Sequence, residues 1–201
     1  QGVSSAASDV YKRQTLRYLR LYNLPKLRSL PERLPEGLIA LQLKDLPELT
    51  SLPERLPEGL TELKLLDLPK LRSLPEHLPE GLTELELAKL RKLTGLPERL
   101  PERLTKLLLI NLPKLTGLPA RLPGGLIGLQ LRDLPKLTGL PERLPERLIM
   151  LQLIKLPELT SLPERLLPEG LTSLALYDLP KLVATIHYNN DLRTRNSPGV
   201  R

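Results

Sequence analysis

One phrase governs this chain. "SLPERLPEGL" stands at residues 29–38 and again at 51–60, becomes "SLPEHLPEGL" at 73–82, and returns as "GLPERLPERL" at 95–104 and 139–148. Aligned on the leucine that closes each phrase, units start at Leu16, Leu38, Leu60, Leu82, Leu104, Leu126 and Leu148, each 22 residues after the last. One extra leucine (Leu166–Leu167) lengthens the seventh unit to 23, and an eighth starts at Leu171. A fixed period of this length demands a structure in which one packing solution is copied along an axis. A unit of this size cannot bury its own apolar face, so neighbours must stack to close a continuous core.

The unit reads L-x-x-L-x-L-x-x-L-P-x-L-x-x-L-P-x-x-L-P-x-G, and its positions are numbered 1 to 22 below. Composition supports the copying argument. Leucine fills 58 of 201 positions, with no Phe, no Trp, no Cys and a single Met. A one-off core mixes side-chain shapes to interdigitate, whereas a core of one shape suits a repeated packing motif. Of the 22 prolines, 21 fall at three fixed places in the unit, so they punctuate structure and do not mark a disordered tract.

In "LIALQLKD" (38–45), Leu41 and Leu43 alternate with Ala40, Gln42 and Lys44. Period two predicts a strand with its leucines on one face. Strands are expected to centre on Leu19–Leu21, Leu41–Leu43, Leu63–Leu65, Leu85–Leu87, Leu107–Leu109, Leu129–Leu131, Leu151–Leu153 and Leu174–Leu176. Pro47 has no N–H for a ladder, so the strand should stop near Asp45–Leu46. Pro53 and Pro57 fix their own φ and push Leu52 and Leu56 towards extended geometry, which forbids a long helix in the return arm. Gly59 is expected to take positive φ at the corner into the next strand, although Arg103 and Arg147 hold that corner in two units. Eight parallel strands at ~4.8 Å spacing give a sheet roughly 35 Å across.

These units resemble the leucine-rich repeat superfamily, whose signature is L-x-x-L-x-L at a period in the twenties. The stretch "DLPELTSLPERLPEGL" (45–60) is similar to the C-P-x-L-x-S-L-P-x-x-L-P-x-x-L units of plant nucleotide-binding resistance proteins, with Leu46 in the Cys position. "LPERLPEGLTEL" also resembles, less closely, the shorter repeats of secreted bacterial effectors, which use Asn at that position. The resemblance covers Leu16 to about Leu182. It implies an α/β-type solenoid, mostly β: a right-handed superhelix with one parallel sheet on the concave face and extended or 3-10 return arms on the convex face. It also implies ligand recognition through the concave sheet. The loop-bonding Cys or Asn of those families is missing. The Asx residues one place earlier (Asn23, Asp45, Asp67, Asn111, Asp133, Asp178) are expected to cap the turn instead, with Lys89 and Lys155 breaking that series.

Chemistry is sparse. The absence of cysteine removes disulfides, thiolate catalysis and Cys-ligated metals. It also removes the Cys nucleophile of the ubiquitin-ligase domains that accompany some effector repeats. The two histidines are His77 and His187; His77 replaces the arginine of a "PER" and belongs to a solvated arm, and a catalytic base there would also need a nucleophile and an orienting partner. Glu54 and Glu58 pair carboxylates four apart, but the pair recurs in most units as a solvated face. No phosphate loop, metal cluster or triad appears, so no cofactor, no metal and no enzyme are expected. The net charge of +7 is interspersed with both signs, a poor footprint for nucleic acid. No apolar run reaches 18 residues, so no membrane span is expected. The compartment is left open.

What varies between units is the strand face opposite the leucines. Position 3 reads Tyr18, Ala40, Glu62, Glu84, Lys106, Gly128, Met150, Ser173; position 5 reads Arg20, Gln42, Lys64, Glu86, Leu108, Gln130, Gln152, Ala175; position 7 reads Tyr22, Lys44, Leu66, Ala88, Ile110, Arg132, Ile154, Tyr177. The last row is largely apolar yet should face water, and apolar side chains grouped on an exposed face mark an interaction site. The expected protein-binding face comprises Leu66, Glu84, Glu86, Lys106, Leu108, Ile110, Gln130, Arg132, Met150, Gln152, Ile154 and Tyr177. Its partner is a protein or peptide. The alternative is a structural repeat that only self-associates, through uncapped ends.

The flanks do not follow the period. Residues Ser4–Gln14, "SSAASDVYKRQ", resemble the in-frame translation of a transposase-type sequencing adapter, which places 1–14 outside the fold. The expected organisation is then 1–14 as non-structural sequence, 15–182 as a solenoid of seven full units and a partial eighth, and 183–201 as an irregular tail. The solenoid is then a fragment of a larger protein whose native N-terminus is missing.

Overall fold

The structure, a computed structural model, describes residues 16–162 and 168–183. The flanking segments 1–14 and 184–201, on which the sequence places the adapter and the irregular tail, lie outside the described residues.

Each unit contributes one five-residue strand where the leucine alternation predicts it. These are β1 Tyr18–Tyr22, β2 Ala40–Lys44, β3 Glu62–Leu66, β4 Glu84–Ala88, β5 Lys106–Ile110, β6 Gly128–Arg132, β7 Met150–Ile154 and β8 Ser173–Tyr177. They form one parallel sheet in strict sequence order, and every pair is in register: Leu41 sits opposite Leu19 and Leu63, and Leu43 opposite Leu21 and Leu65. A constant 22-residue period leaves no other register, because a one-residue slip would turn every leucine out of the core. The result is a leucine-rich-repeat-like parallel β-solenoid of about seven turns. Among the described residues no helix occurs, so the return arms are extended chain broken by turns.

The leucines at positions 1, 4, 6, 9 and 12 make the core. Leu38, Leu41, Leu43, Leu46 and Leu49 are each fully buried, and so are their counterparts as far as Leu159. Each is worth about 1.5–3 kcal/mol before chain entropy is counted. The arm leucines close the other side less tightly: Leu56 and Leu78 are buried, while Leu52 and Leu96 are partly so. No polar or charged side chain is buried in this core among the described residues.

Two hydrogen-bonded turns shape each arm. At the first, the Leu27 N–H donates to the Leu24 carbonyl (3.1 Å), with Pro25 pre-setting φ at the second turn position. Arg91 takes the place of that proline in one unit, and the bond from Leu93 to Leu90 is there the longest of the set, at 3.4 Å. At the second turn, the Leu60 N–H donates to the Pro57 carbonyl (3.0 Å), with Glu58 and Gly59 at the centre.

Two expectations about backbone are corrected here. No described glycine has positive φ, so Gly59 does not supply a left-handed corner. Its turn keeps right-handed angles, which is why Arg103 and Arg147 occupy the same place with the same 3.0 Å bonds. The left-handed residue lies at position 8. Asn23, Asp45, Asp67, Lys89, Asn111, Asp133, Lys155 and Asp178 all have φ between 53° and 56°. The Asx series is therefore a series of residues that tolerate this conformation, and Lys89 and Lys155 follow it rather than break it. The geometry serves the ladder. The first seven of these residues still donate their N–H to the next strand, as from Asp45 to the Leu66 carbonyl (3.1 Å), while the chain turns inward to bury the next leucine.

Candidate functional site

The sheet has one face in the core and one open. On the open face the residues at positions 3, 5 and 7 form three rows that run across all eight strands, because the strands are in register. All twelve residues of the expected face lie there: Leu66 on β3, Glu84 and Glu86 on β4, Lys106, Leu108 and Ile110 on β5, Gln130 and Arg132 on β6, Met150, Gln152 and Ile154 on β7, Tyr177 on β8. Register makes neighbours of Glu86, Leu108, Gln130 and Gln152 in one row, and of Ile110, Arg132, Ile154 and Tyr177 in another.

The face divides into two halves of different chemistry. From Tyr22 on β1 to Glu84 on β4 one continuous chain of polar side chains is joined. Tyr22 Oη donates to Gln42 Oε1, and Gln42 Nε2 donates to Glu62 Oε1. Lys64 Nζ stands 3.1 Å from Glu62 Oε1 and 3.2 Å from Glu84 Oε1. Burial in this row raises the Glu62 pKa, but the hydrogen bonds from Gln42 and Lys64 and the charges of Lys64 and Arg20 outweigh it, and its carboxyl ends below the ordinary value. Burial likewise lowers the Lys64 pKa, and its two carboxylate partners reverse this, leaving the ammonium more basic than usual. Glu84 thus belongs to an internal ion network.

Across β5 to β8 the face mixes apolar side chains with Lys106, Gln130, Arg132 and Gln152. Leu108, Ile110 and Ile154 are half-buried, not fully solvent-facing as the sequence suggests, because in-register neighbours one strand away cover their flanks. Met150 is 44% exposed and Tyr177 67% exposed. Gln152 Nε2 lies 3.7 Å from Met150 Sδ. Arg132 Nε lies 3.4 Å from Asp133 Oδ2, so its charge is met by its own neighbour.

Two residues escape the sequence reading. Ile127 and Ile149, at position 2, are 38% and 44% exposed. They precede the strands, and strict alternation from Leu129 and Leu151 would send them inward. The backbone departs from alternation here: the N–H groups of Ile149 and Met150 both donate to the Ile127 carbonyl, at 2.8 and 3.0 Å, so two successive residues face outward. The signal was in the unit. The first two leucines are three apart, not two, and that spacing forces an extra outward residue. In four units position 2 is threonine: Thr61, Thr83 and Thr105 each donate Oγ1 to the position-2 carbonyl of the unit before at 3.0 Å, and Thr172 donates to that of Ile149 at 3.4 Å. Ile127 and Ile149 replace that bond with exposed hydrocarbon.

The return arms offer little. Glu54, Glu58 and His77 are exposed and line an open surface groove of about 730 Å³ between two arms, which leucines and prolines line as well. Among the described residues no group of three His, Cys, Asp or Glu is placed to hold a metal ion, and no helix is long and apolar enough to cross a membrane.

Parallel strands in register, a leucine core repeated every 22 residues and a variable open face define a repeat scaffold of the leucine-rich repeat type. No protein-family model and no curated protein matches the chain. Among solved structures it is similar to YopM from Yersinia enterocolitica WA-314, a bacterial leucine-rich repeat effector, with a TM-score of 0.59 and 29% identity over 89% of this chain. The chain spans 43% of that structure's length.

Proposed function

We propose that this chain is the recognition part of a protein-binding scaffold that grips a protein or peptide on the open face of its sheet. The observation that carries the reading is the contrast within one face. From β2 to β4, Gln42, Glu62, Lys64 and Glu84 are tied to one another, while the β5–β8 half leaves Met150, Ile149, Ile127 and Tyr177 exposed on the same face as Leu108, Ile110 and Ile154; on the other half the exposed large side chains, Tyr18 and Tyr22, lie on the terminal strand β1. Exposed apolar groups clustered on a rigid sheet are the ordinary mark of a docking surface, and binding energy concentrates in a few such central residues. The likeness to a bacterial effector supports the effector-type subclass over the plant resistance type. The role is binding and not catalysis, and the chain acts as part of a longer protein.

The test is selection of a displayed random-peptide library on the solenoid, followed by binding of the enriched peptides to Ile110→Ser/Ile154→Ser. These side chains point away from the leucine core, so the variant should stay folded, with a modest fall in its circular-dichroism melt because both isoleucines are half-buried in strands. Loss of binding by ~10-fold or more is expected if they sit at the centre of the interface. Unchanged binding, combined with loss on substituting Glu54 and Glu98 of the arms, would move the site off the sheet. A purely self-associating repeat would enrich no peptide and would sediment as oligomers.

A further inference from the structure

Gly128 opens β6, and it is the one glycine in any strand of the described residues. Glycine weakens a strand and is retained where a turn, a tight contact or an approaching ligand needs it. The first two reasons fail here. Gly128 has no positive φ, and a Cβ built on it would meet nothing within 4 Å. Gly125, three residues earlier, differs: there an added Cβ would lie 3.0 Å from the Glu102 carbonyl oxygen, so the fold itself asks for glycine.

Gly128 leaves a notch in the open face. In register it lies between Lys106 and Met150, two strand spacings or roughly 10 Å apart. Met150 and the exposed Ile127 and Ile149 supply apolar walls on one side. Lys106, in register beside it, is exposed, and so are Arg103 and Arg147 at the corners leading into β5 and β7, each preceded by an exposed glutamate, Glu102 and Glu146. Among the described residues none of the three takes part in an ion pair. Glu84, the carboxylate in register with Lys106, is held by Lys64. The wider charge agrees: residues 91–147 carry eleven Lys and Arg against five Asp and Glu, a net +6 of the chain's +7.

We propose that the notch over Gly128, walled by Met150, Ile127 and Ile149 and flanked by Lys106, Arg103 and Arg147, seats an apolar side chain of an acidic peptide segment of a partner protein. An apolar anchor fills the space a side chain vacates, and carboxylates beside it meet cations that the solenoid leaves without partners. This rests on the binding reading above and names the chemistry of its ligand. Nucleic acid, the other polyanion, would meet the cations, but an apolar side chain is the better match for the exposed isoleucines and methionine.

The experiment is to enrich a displayed random-peptide library on the solenoid and to compare wild type with Gly128→Leu, Gly128→Ala and Lys106→Glu. Gly128→Ala adds only a Cβ into open space and strand propensity favours both Gly128 replacements, so each should melt no lower than wild type. Wild type is expected to enrich peptides with an apolar residue next to Asp or Glu. Gly128→Leu should weaken them by ~10-fold or more, as expected for a filled anchor site, Gly128→Ala by less, and Lys106→Glu should shift the selected flanks from acidic to basic. Enriched peptides that bind Gly128→Leu and Lys106→Glu as tightly as wild type overturn the notch. If those peptides are lost in Ile110→Ser/Ile154→Ser, the open-face reading survives without it. Absence of any enriched peptide overturns both readings. So does a solenoid that binds a labelled single-stranded oligonucleotide, loses it on Lys106→Glu and enriches no peptide.

Discussion

A left-handed backbone angle recurs at position 8 of every unit, and the residue that bears it changes. Six of the eight positions hold Asn or Asp; Lys89 and Lys155 hold the same φ, 56° and 54°, without the short polar side chain that eases it. For an ordinary L-residue this conformation costs about 1–2 kcal/mol, and Asn or Asp recovers part of that. What lysine offers in return is weak. Its ammonium stands 3.8 Å from Asp67 in one case and 4.0 Å from Asp133 in the other, with both lysines largely exposed, and such surface pairs are worth about 0–1 kcal/mol, with many near nothing. Lys89→Asn and Lys155→Asn are each expected to stabilise the solenoid by about 0.5–1 kcal/mol, the share of the strain that Asn relieves. The check is a rise in the urea midpoint at unchanged slope. A fall in the midpoint would mean that the ion pairs outweigh the strain. The sequence shows the Asx series plainly, but not its cause: residue type at one position is compatible with a capping side chain or with a tolerated angle, and only the backbone separates the two.

At the scale of the element, the strands were legible and the faces only partly so. L-x-L alternation placed all eight strand centres, and the prolines ruled out helical arms, because both arguments depend on a few residues around each position. The outward-facing Ile127 and Ile149 depend on a hydrogen bond shared by two N–H groups, which alternation does not represent. The division of the open face was also hidden, since the bonds between strands join side chains 20 residues apart in sequence. In that face Glu62 titrates below its ordinary value of 4.5 and Lys64 above its ordinary value of 10.5. A carboxyl depressed on folding contributes stability above its unfolded pKa and loses it as pH falls through the folded one. An ammonium raised on folding contributes below its unfolded pKa and loses it as pH rises through the folded one. The network therefore holds throughout the neutral range and fails first in acid. Hydrogen-exchange protection of β2 to β4 should drop as pH falls below about 4.5, after correction for intrinsic exchange rates, more than protection of β6 and β7. Glu62→Gln should flatten the difference between the two halves. Equal acid loss in both halves of the wild type would show that the network contributes nothing.

Across the whole molecule, each unit touches only the next, so stability is close to a sum of unit and interface contributions. The sheet pairs strands strictly in sequence order, with no strand returning to an earlier neighbour. Among the described residues only adjacent strands are in contact, so the adjacent interfaces tie β1 to β8. The sequence made this architecture legible from its period alone, because the period fixes both topology and register. It did not show that net charge gathers in residues 91–147, since the signs alternate locally and the excess emerges only over several units. Burial is uniform through the middle and falls at β8: Leu109 is fully buried, whereas Leu174 is only partly buried against the core. Truncating a buried leucine costs about 2–5 kcal/mol, more where the surroundings cannot collapse into the space. In a globular domain such a loss spreads over the whole fold. In an array it should stay local. Leu109→Ala is expected to strip hydrogen-exchange protection from β4 to β6 while β2 keeps much of its own, and to split the thermal transition into two. Leu174→Ala should cost less and loosen only β7 and β8. If Leu109→Ala instead lowers protection evenly from β2 to β7 with a single sharp melt, the solenoid folds as one indivisible unit and nearest-neighbour additivity does not describe it.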